Sequence, residues 1–387
     1  MARLTKEFTI KLSEPIEDAY LSCIDRLIIN ICKHLRTGKA YRTADWEIQK
    51  LSELGKLTEE NAKIINEALK SVPQKVKDAL SEASKESLKD IEAAIKAAIE
   101  KGAIEQSESD NVKEALESLL SQSIDKINLT NTTMLESSRE AFRQAVQNVV
   151  FEESLAQGIT NEIGAVISLS TETRNTALKK AIQQLLDNGI YGLIDRAGRK
   201  WSPEAYASML IRTTSHNAAI DSIRARQQDY NSDIFQISEH SGARPLCYPY
   251  QGKFYTWGSQ GGTFTDGNGK LHTYKPISST SYGKAAGIFG INCGHYPLPQ
   301  IPGVSIPSKR EIHPENENTK EYLESQQQRA LERRIREAKR AEAAYREAGL
   351  IDAADEIKNT VSERQAEMRA FISKTGRKRR YDRENVR

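Results

Sequence analysis

Two cysteines and two histidines carry the most specific chemistry in this sequence. His240 and Cys247 lie in the segment SEHSGARPLCYPYQGK, and Cys293 and His295 lie further along in GIFGINCGHYPLP. Structural zinc sites use four such thiolate and imidazole groups, usually as two short-range pairs that the fold brings together. The sequence therefore predicts a structural zinc site at His240, Cys247, Cys293 and His295. The spacing is not that of a standard zinc finger, so buried thiols beside hydrogen-bonded histidines remain the alternative.

The same cluster raises the possibility of an enzyme. Cys293 with His295 or His240 would be a thiolate and its base, but a nucleophile also needs a third group that orients the base. The sequence identifies neither that group nor an oxyanion hole. The glycine-rich segment 258–269 lacks the context of a phosphate loop and is expected to be a hairpin tip. A toxin-like enzyme or thiol hydrolase is kept as an alternative, and no catalytic residue is assigned.

Composition indicates a mainly α protein. Only 38% of the 387 residues are hydrophobic while 28% are charged, which favours long solvated helices over one large core. Lys and Arg (56) nearly balance Asp and Glu (53), so attraction to nucleic acid would need a local patch. Four cysteines do not form a disulfide framework, and apolar runs such as LIINIC are too short to span a bilayer. We therefore expect a reducing compartment and no integral membrane segment.

Changes in local amino-acid composition divide the chain into four predicted parts. Glycine and aromatic residues concentrate between 241 and 303, which hold 12 of the 22 glycines, so strands and turns are expected there. The preceding residues are rich in Ala, Glu and Lys, which favour helix. We predict an N-terminal helical segment (1–55), an elongated helical stalk or bundle (56–200), a compact α+β module with the Cys/His cluster (201–312), and C-terminal helices with a basic tail (313–387).

Local patterns position several elements. Ser202, Pro203 and Glu204 form a typical helix start, because Ser caps the first turn, Pro fits the first helical position and Glu complements the helix dipole. The following apolar residues predict a buried stripe. The opposite, charged face is expected to be solvated and to carry Arg212, His216 and Arg226. The segments IFQIS (234–238) and KFYTW (253–257) are predicted strands, because both are rich in β-branched or aromatic residues.

The last fifteen residues, SKTGRKRRYDRENVR, form a basic C-terminal tail with seven basic and two acidic side chains. Such a tail is expected to be mobile and to contact DNA phosphates through charge alone. A solubilising tail that binds nothing is the alternative. The predicted contact residues are Lys374, Arg377, Lys378, Arg379 and Arg380.

The motifs around the Cys/His cluster resemble the phage minor capsid protein 2 family and, more distantly, the Mu F-type phage head morphogenesis proteins. The family pattern is a His, GARP, a His or Cys, QGK, and later G-NC-H with a following Pro. It matches here at His240, residues 242–245, Cys247, residues 251–253, Gly290, Asn292, Cys293, His295 and Pro297. The motif resemblance covers roughly residues 201–349, and the N-terminal half shares only helical character.

The resemblance implies a structural minor capsid protein of a tailed phage or prophage, acting in head assembly, at the portal or in DNA packaging and delivery. It implies portal or other capsid proteins as partners, and a location in the virion after assembly in the host cytoplasm. Self-association is expected on separate grounds, because the Ala-rich helical faces carry few Leu or Phe side chains and suggest helices packed on one another or on a partner chain. It carries over no catalytic residue. A DNA-binding accessory protein of the virion and an enzyme built on the Cys/His cluster are the alternatives.

Overall fold

A computed structural model describes residues 5–36, 42–102, 111–162, 171–308 and 313–386. Long helices precede a small sheet region, and further helices follow it, which confirms the predicted mainly α class. The helices are α1 (Lys6–Leu35), α2 (Thr43–Ser52), α3 (Leu54–Leu69), α4 (Val72–Glu100), α5 (Asn111–Glu162), α6 (Thr171–Asn188), α7 (Pro203–Gln228), α8 (Glu315–Glu347) and α9 (Ile351–Thr375). The strands are β1 (Leu193–Ile194), β2 (Lys200–Trp201), β3 (Ile234–Ile237), β4 (Phe254–Thr256), β5 (Gly262–Thr265), β6 (Leu271–Pro276) and β7 (Pro297–Pro299).

Helix ends follow local sequence signals. Helix α7 begins at Pro203, directly after Ser202, as predicted. Gly349, at a φ of 81°, separates α8 from α9. Gly376 ends α9 at a φ of 68°, and its N–H bonds the carbonyl of Ile372. Left-handed backbone is inexpensive for glycine, so these two residues stop the helices.

Two compact units make up the described chain. The sheet unit comprises the described residues within Met1–Ile16, Val72–Ile127 and Ala207–Gln326. The helical unit comprises those within Glu17–Ser71, Asn128–Tyr206 and Gln327–Arg387. Each unit therefore draws on segments far apart in sequence. The four-part division drawn from local amino-acid composition stays a prediction.

The sheet unit is built around a five-stranded sheet in the order β5-β6-β4-β3-β7. Strands β4 and β6 are parallel, and the other neighbours are antiparallel. Both predicted strands, β3 and β4, are confirmed. The core beneath them contains the fully buried Phe235 and Ile237 of β3, together with Ala219 and Ile223 of α7. The predicted hairpin tip, residues 258–269, contains the turn after β5, but it also contains strand β5 itself.

Buried apolar side chains, such as the fully buried Leu27, Ile31 and Trp46, and buried polar contacts stabilise the helical unit. The amide of Asn30 donates to Asn61 (2.9 Å), which in turn donates to Ser138 (3.0 Å), so α1, α3 and α5 share a buried hydrogen-bonded chain. A second contact pairs Arg340 of α8 with the buried Asp25 of α1 at 2.6 Å. Among the described helices, none is both long enough and apolar enough to cross a membrane.

Candidate functional site

The topology of β3 and β7 brings the two halves of the Cys/His cluster together. These strands are antiparallel, and Ile237 pairs with Pro297. The residues that follow β3 and the residues that precede β7 therefore lie side by side at the same end of these two strands. The N–H of Ser238 donates to the carbonyl of Tyr296 (2.9 Å) and continues this pairing toward the cluster. His240 and His295, three and two residues beyond the paired positions, consequently become neighbours.

The first loop, residues 240–251, carries Cys247. It closes through the N–H of Cys247, which donates to the carbonyl of Arg244 at 2.8 Å. The guanidinium of Arg244 also donates to the carbonyls of Gly287 (3.1 Å) and Ile291 (2.9 Å) in the second loop. Arg244 therefore ties the two loops to each other.

The second loop, residues 280–296, aims Cys293 inward through two left-handed residues. Phe289 and Asn292 have φ values of 59° and 55°, a region that few residues other than glycine adopt. The N–H of Phe289 donates to the sulfur of Cys293 (3.3 Å), and the N–H of Cys293 donates to the carbonyl of Gly290 (3.0 Å). A side chain at position 290 would collide with the carbonyl of Ala285. The loop therefore requires glycine at position 290, and Asn292 is one of the residue types that adopt a left-handed backbone most readily.

Three of the four predicted ligands converge in the interior. The sulfurs of Cys247 and Cys293 and a ring nitrogen of His295 all lie within 4.8 Å of one another, and all three residues are buried. Cys293 Sγ is 3.5 Å from His295 Nδ1. Two thiols and an imidazole form a donor set that zinc prefers.

Gln251 fixes the orientation of the His295 ring. Its Oε1 lies 2.8 Å from the backbone N–H of His240, and this N–H can only donate, so the atom facing it must be the amide oxygen. The same oxygen lies 3.1 Å from His295 Nε2, which therefore carries a proton. His295 consequently turns Nδ1 toward the sulfurs, where it can accept the thiol proton of Cys293 or bind a metal.

His240 lies beside the three converging groups. Its ring stacks on that of His295 with centroids 4.1 Å apart and a tilt of 34°. Its Nδ1 is 3.0 Å from the carbonyl of Ser241, which accepts the hydrogen bond. In the neutral ring this contact leaves the lone pair on Nε2.

His216 belongs to this region, and its predicted place on a solvated face of α7 was wrong. It is 1% exposed, and its Nε2 donates to the carbonyl of His295 at 2.7 Å. Its ring packs on Tyr296 with a centroid separation of 4.6 Å. Burial lowers the pKa of His216, which favours a neutral ring. Arg212 and Arg226 also have partners within the sheet unit, Ser13 at 3.0 Å and Glu92 at 2.5 Å.

The two thiols hold their protons unequally. The hydrogen bond that Cys247 donates to Cys293 raises the pKa of Cys247, and burial raises it further. The same hydrogen bond, together with the contact to His295, holds the pKa of Cys293 well below its usual range. Arg244 Nη2 is 3.8 Å from Cys247 Sγ and adds positive charge beside the pair. The cluster therefore favours one thiolate next to one thiol.

Gln251 is also the third group that an enzyme would need, and sequence reasoning missed it. The order Cys293, His295, Gln251 matches a nucleophile, a base and an orienting residue. However, Cys293 is 6% exposed and His295 is 1% exposed. The sulfur already faces Phe289 N–H, Cys247 and His295, so a substrate has little access to it.

The C-terminal tail is folded against α8, contrary to the expectation of a mobile tail. Arg377 donates to Gln328 Oε1 (2.7 Å), and Gln328 donates to the carbonyl of Lys378 (3.0 Å). Arg379 makes two short hydrogen bonds to the buried Glu384, of 2.7 and 2.6 Å. Of the five predicted DNA contacts, the side chains that stay exposed are Lys374 and Lys378, while Arg377, Arg379 and Arg380 are half-buried.

The chain is similar to two phage proteins that are described as structural proteins. It is 30% identical over 231 residues to a structural protein of Lactococcus phage LL-H, a match that covers 57% of this chain and 60% of that protein. It is also 30% identical over 114 residues to a structural protein of Lactococcus phage mv4, covering 29% of this chain and 92% of that protein. No solved structure matches the chain.

The match to a family is more extensive. Residues 4–373 match the family described as phage minor capsid protein 2, and the chain therefore belongs to that family. This confirms the resemblance drawn from the GARP, QGK and G-NC-H motifs. The match also extends through the N-terminal helices, where the sequence offered only helical character.

Proposed function

We propose that this protein is a minor component of the phage head that acts structurally in head assembly at the portal. The family match over residues 4–373 carries the proposal, because it spans nearly the whole of both compact units. The two relatives described as structural proteins support it. Portal and other capsid proteins are the proposed partners, and the virion is the proposed location.

A complementation experiment tests this role. A phage with a nonsense mutation in this gene would be grown in cells that supply the tagged protein or an empty vector. Purified particles should contain the tagged protein in few copies relative to the major capsid protein. Without it, particles should be malformed or lack DNA. Infectious particles formed in its absence would overturn the proposal.

A structural role is favoured over an enzymatic one by the burial of the candidate nucleophile. Cys293 and His295 are almost fully buried, whereas a nucleophile must reach a substrate. We expect Cys293 in the native protein to react with iodoacetamide far more slowly than in urea. Rapid native alkylation, quantified by mass spectrometry at Cys293, would instead favour the thiol-enzyme alternative.

Contact with DNA is a second proposed role, and the exposed lysines of the tail support it. Lys374 in the last turn of α9 and Lys378 beyond its end are exposed, so their charges can reach phosphates. Replacing both by Ala should lower DNA affinity and reduce the slope of log affinity against log salt by about 2. The control replaces the exposed Lys63 of α3 and the exposed Lys70 directly after that helix, which changes net charge equally. Equal salt slopes for both double variants would refute a contact through the tail.

Self-association is also part of the proposal. Phe151 and Leu155, four residues apart on α5 and 61% and 48% exposed, form an apolar pair that is available for contacts between copies. Analytical ultracentrifugation should detect oligomers whose fraction rises with concentration. A single monomeric species at all concentrations would contradict this part of the proposal.

A further inference from the structure

The separation of Cys293 and His295 matches that of two ligands on a tetrahedral metal. Zinc lies about 2.3 Å from sulfur and about 2.0–2.1 Å from nitrogen, which places neighbouring sulfur and nitrogen ligands about 3.6 Å apart. The observed distance from Cys293 Sγ to His295 Nδ1 is 3.5 Å. Cys247 Sγ lies within 4.8 Å of both atoms. A small inward movement of the sulfurs would complete three corners of a tetrahedron.

The surrounding hydrogen bonds prepare the donors for a metal. Gln251 accepts the Nε2 proton of His295 and so directs Nδ1 toward the sulfurs. Outer hydrogen bonds of this kind are typical of histidines that bind metals. The carbonyl of Ser241 similarly accepts the Nδ1 proton of His240, which leaves Nε2 of that ring as a donor to metal. The His295 imidazole is therefore held in the tautomer and the orientation that a ligand requires, whereas His240 has the tautomer but not yet the position.

We propose that the sheet unit binds one structural zinc ion through Cys247, Cys293, His295 and His240. The first three ligands are already assembled. His240, stacked on His295 at 4.1 Å, supplies the fourth through a rotation of its side chain that gives up the hydrogen bond to the carbonyl of Ser241. Two thiolates neutralise the charge of the ion, so the buried site carries no uncompensated charge.

The ion would crosslink the two loops beside the paired ends of β3 and β7. The five strands contain only three to six residues each, and the loops around them are long and irregular. Binding energy at such a site is folding energy, because the unfolded chain does not hold the ligands together. This inference concerns the stability of the sheet unit and is independent of the proposed role in the phage head.

Metal content of the full chain tests the site. Protein reconstituted with zinc sulfate and desalted should contain about one zinc per chain by plasma mass spectrometry. Cys293→Ser and His295→Ala should each lose most of this zinc. The matched control, Cys32→Ser, alters a fully buried thiol in the helical unit and should retain it. Wild-type protein without zinc, or a Cys293→Ser variant with an unchanged zinc content, would overturn the proposal.

The absorption spectrum of the cobalt-loaded wild-type protein tests the site without relying on variants that could fail to fold. Wild-type protein loaded with Co²⁺ should show a thiolate-to-cobalt charge-transfer band and the intense visible bands of tetrahedral coordination. Absence of these bands would overturn the site. His240→Ala should weaken zinc binding at least about 10-fold and alter the visible bands. Unchanged affinity and spectrum in this variant would remove His240 from the ligand set and overturn the four-ligand assignment.

Discussion

Asn318, near the start of α8, offers a sharp test of how the first loop of the cluster is held. Its side chain bonds both peptide groups of Ala243: Oδ1 accepts the N–H and Nδ2 donates to the carbonyl, each at 2.8 Å. Ala243 is fully buried and Asn318 is 2% exposed. An Asn318→Ala substitution leaves two buried backbone groups without these partners.

The expected cost follows from those two groups. Each unsatisfied buried group costs about 1–3 kcal/mol, and partial entry of water reduces the sum to about 2–4 kcal/mol. Because 1.4 kcal/mol corresponds to about a tenfold change in an equilibrium constant, local opening should become about 30-fold to about 1000-fold more frequent. The effect should be concentrated in the loop that carries Cys247.

Hydrogen exchange resolved by peptide mass spectrometry measures this opening directly. Amides in residues 242–250 should exchange faster in Asn318→Ala by the factor above. Asn316→Ala is the matched control, because Asn316 has the same side chain in the same turn of α8 but is exposed. Equal exchange in the two variants would show that Asn318 does not hold the loop.

Two further predictions concern the cluster and a turn in the helical unit. Gln251→Ala should weaken zinc binding about 10-fold to 100-fold without removing a ligand, because His295 loses its orienting acceptor; an unchanged Kd in a competition titration would refute that role. The Trp201 indole and the Arg199 backbone hold the pKa of Asp195 at about 2, below its usual value. Its stabilising contribution should therefore be present above about pH 4 and be lost as the pH falls through 2. The melting temperature of Asp195→Asn should lose this pH dependence, while that of the exposed control Asp187→Asn should keep it. Equal curves of melting temperature against pH for the two variants would contradict the stabilising role of Asp195.

Sequence patterns predicted those parts of the fold that depend on neighbouring residues. The start of α7 followed from Ser202 and Pro203, and β3 and β4 followed from their β-branched and aromatic residues. His216 was misplaced because helical periodicity assumes one buried face. Helix α7 instead buries Ser222 against Ser84 of α4 and His216 beneath His295, so more than one of its faces is covered.

The sequence predicted which residues of the candidate site could bind a metal. It did not predict the contacts that hold those residues in place. Cys247, Cys293 and His295 converge because β3 and β7 pair, a long-range event that spacing alone does not encode. Gln251 carried no separate chemical signal, although it lies in the QGK motif. In the tail, the count of charges included Glu384 but did not predict that it pairs with Arg379 and removes that arginine from the exposed basic set.

An asymmetric cryo-electron microscopy reconstruction of the phage particle tests the proposed role most directly. The proposed role predicts density at or beside the portal vertex, in few copies per particle, into which the five-stranded sheet and the long helices fit. A reconstruction and a particle proteome that both lack this chain would contradict a structural role in the virion.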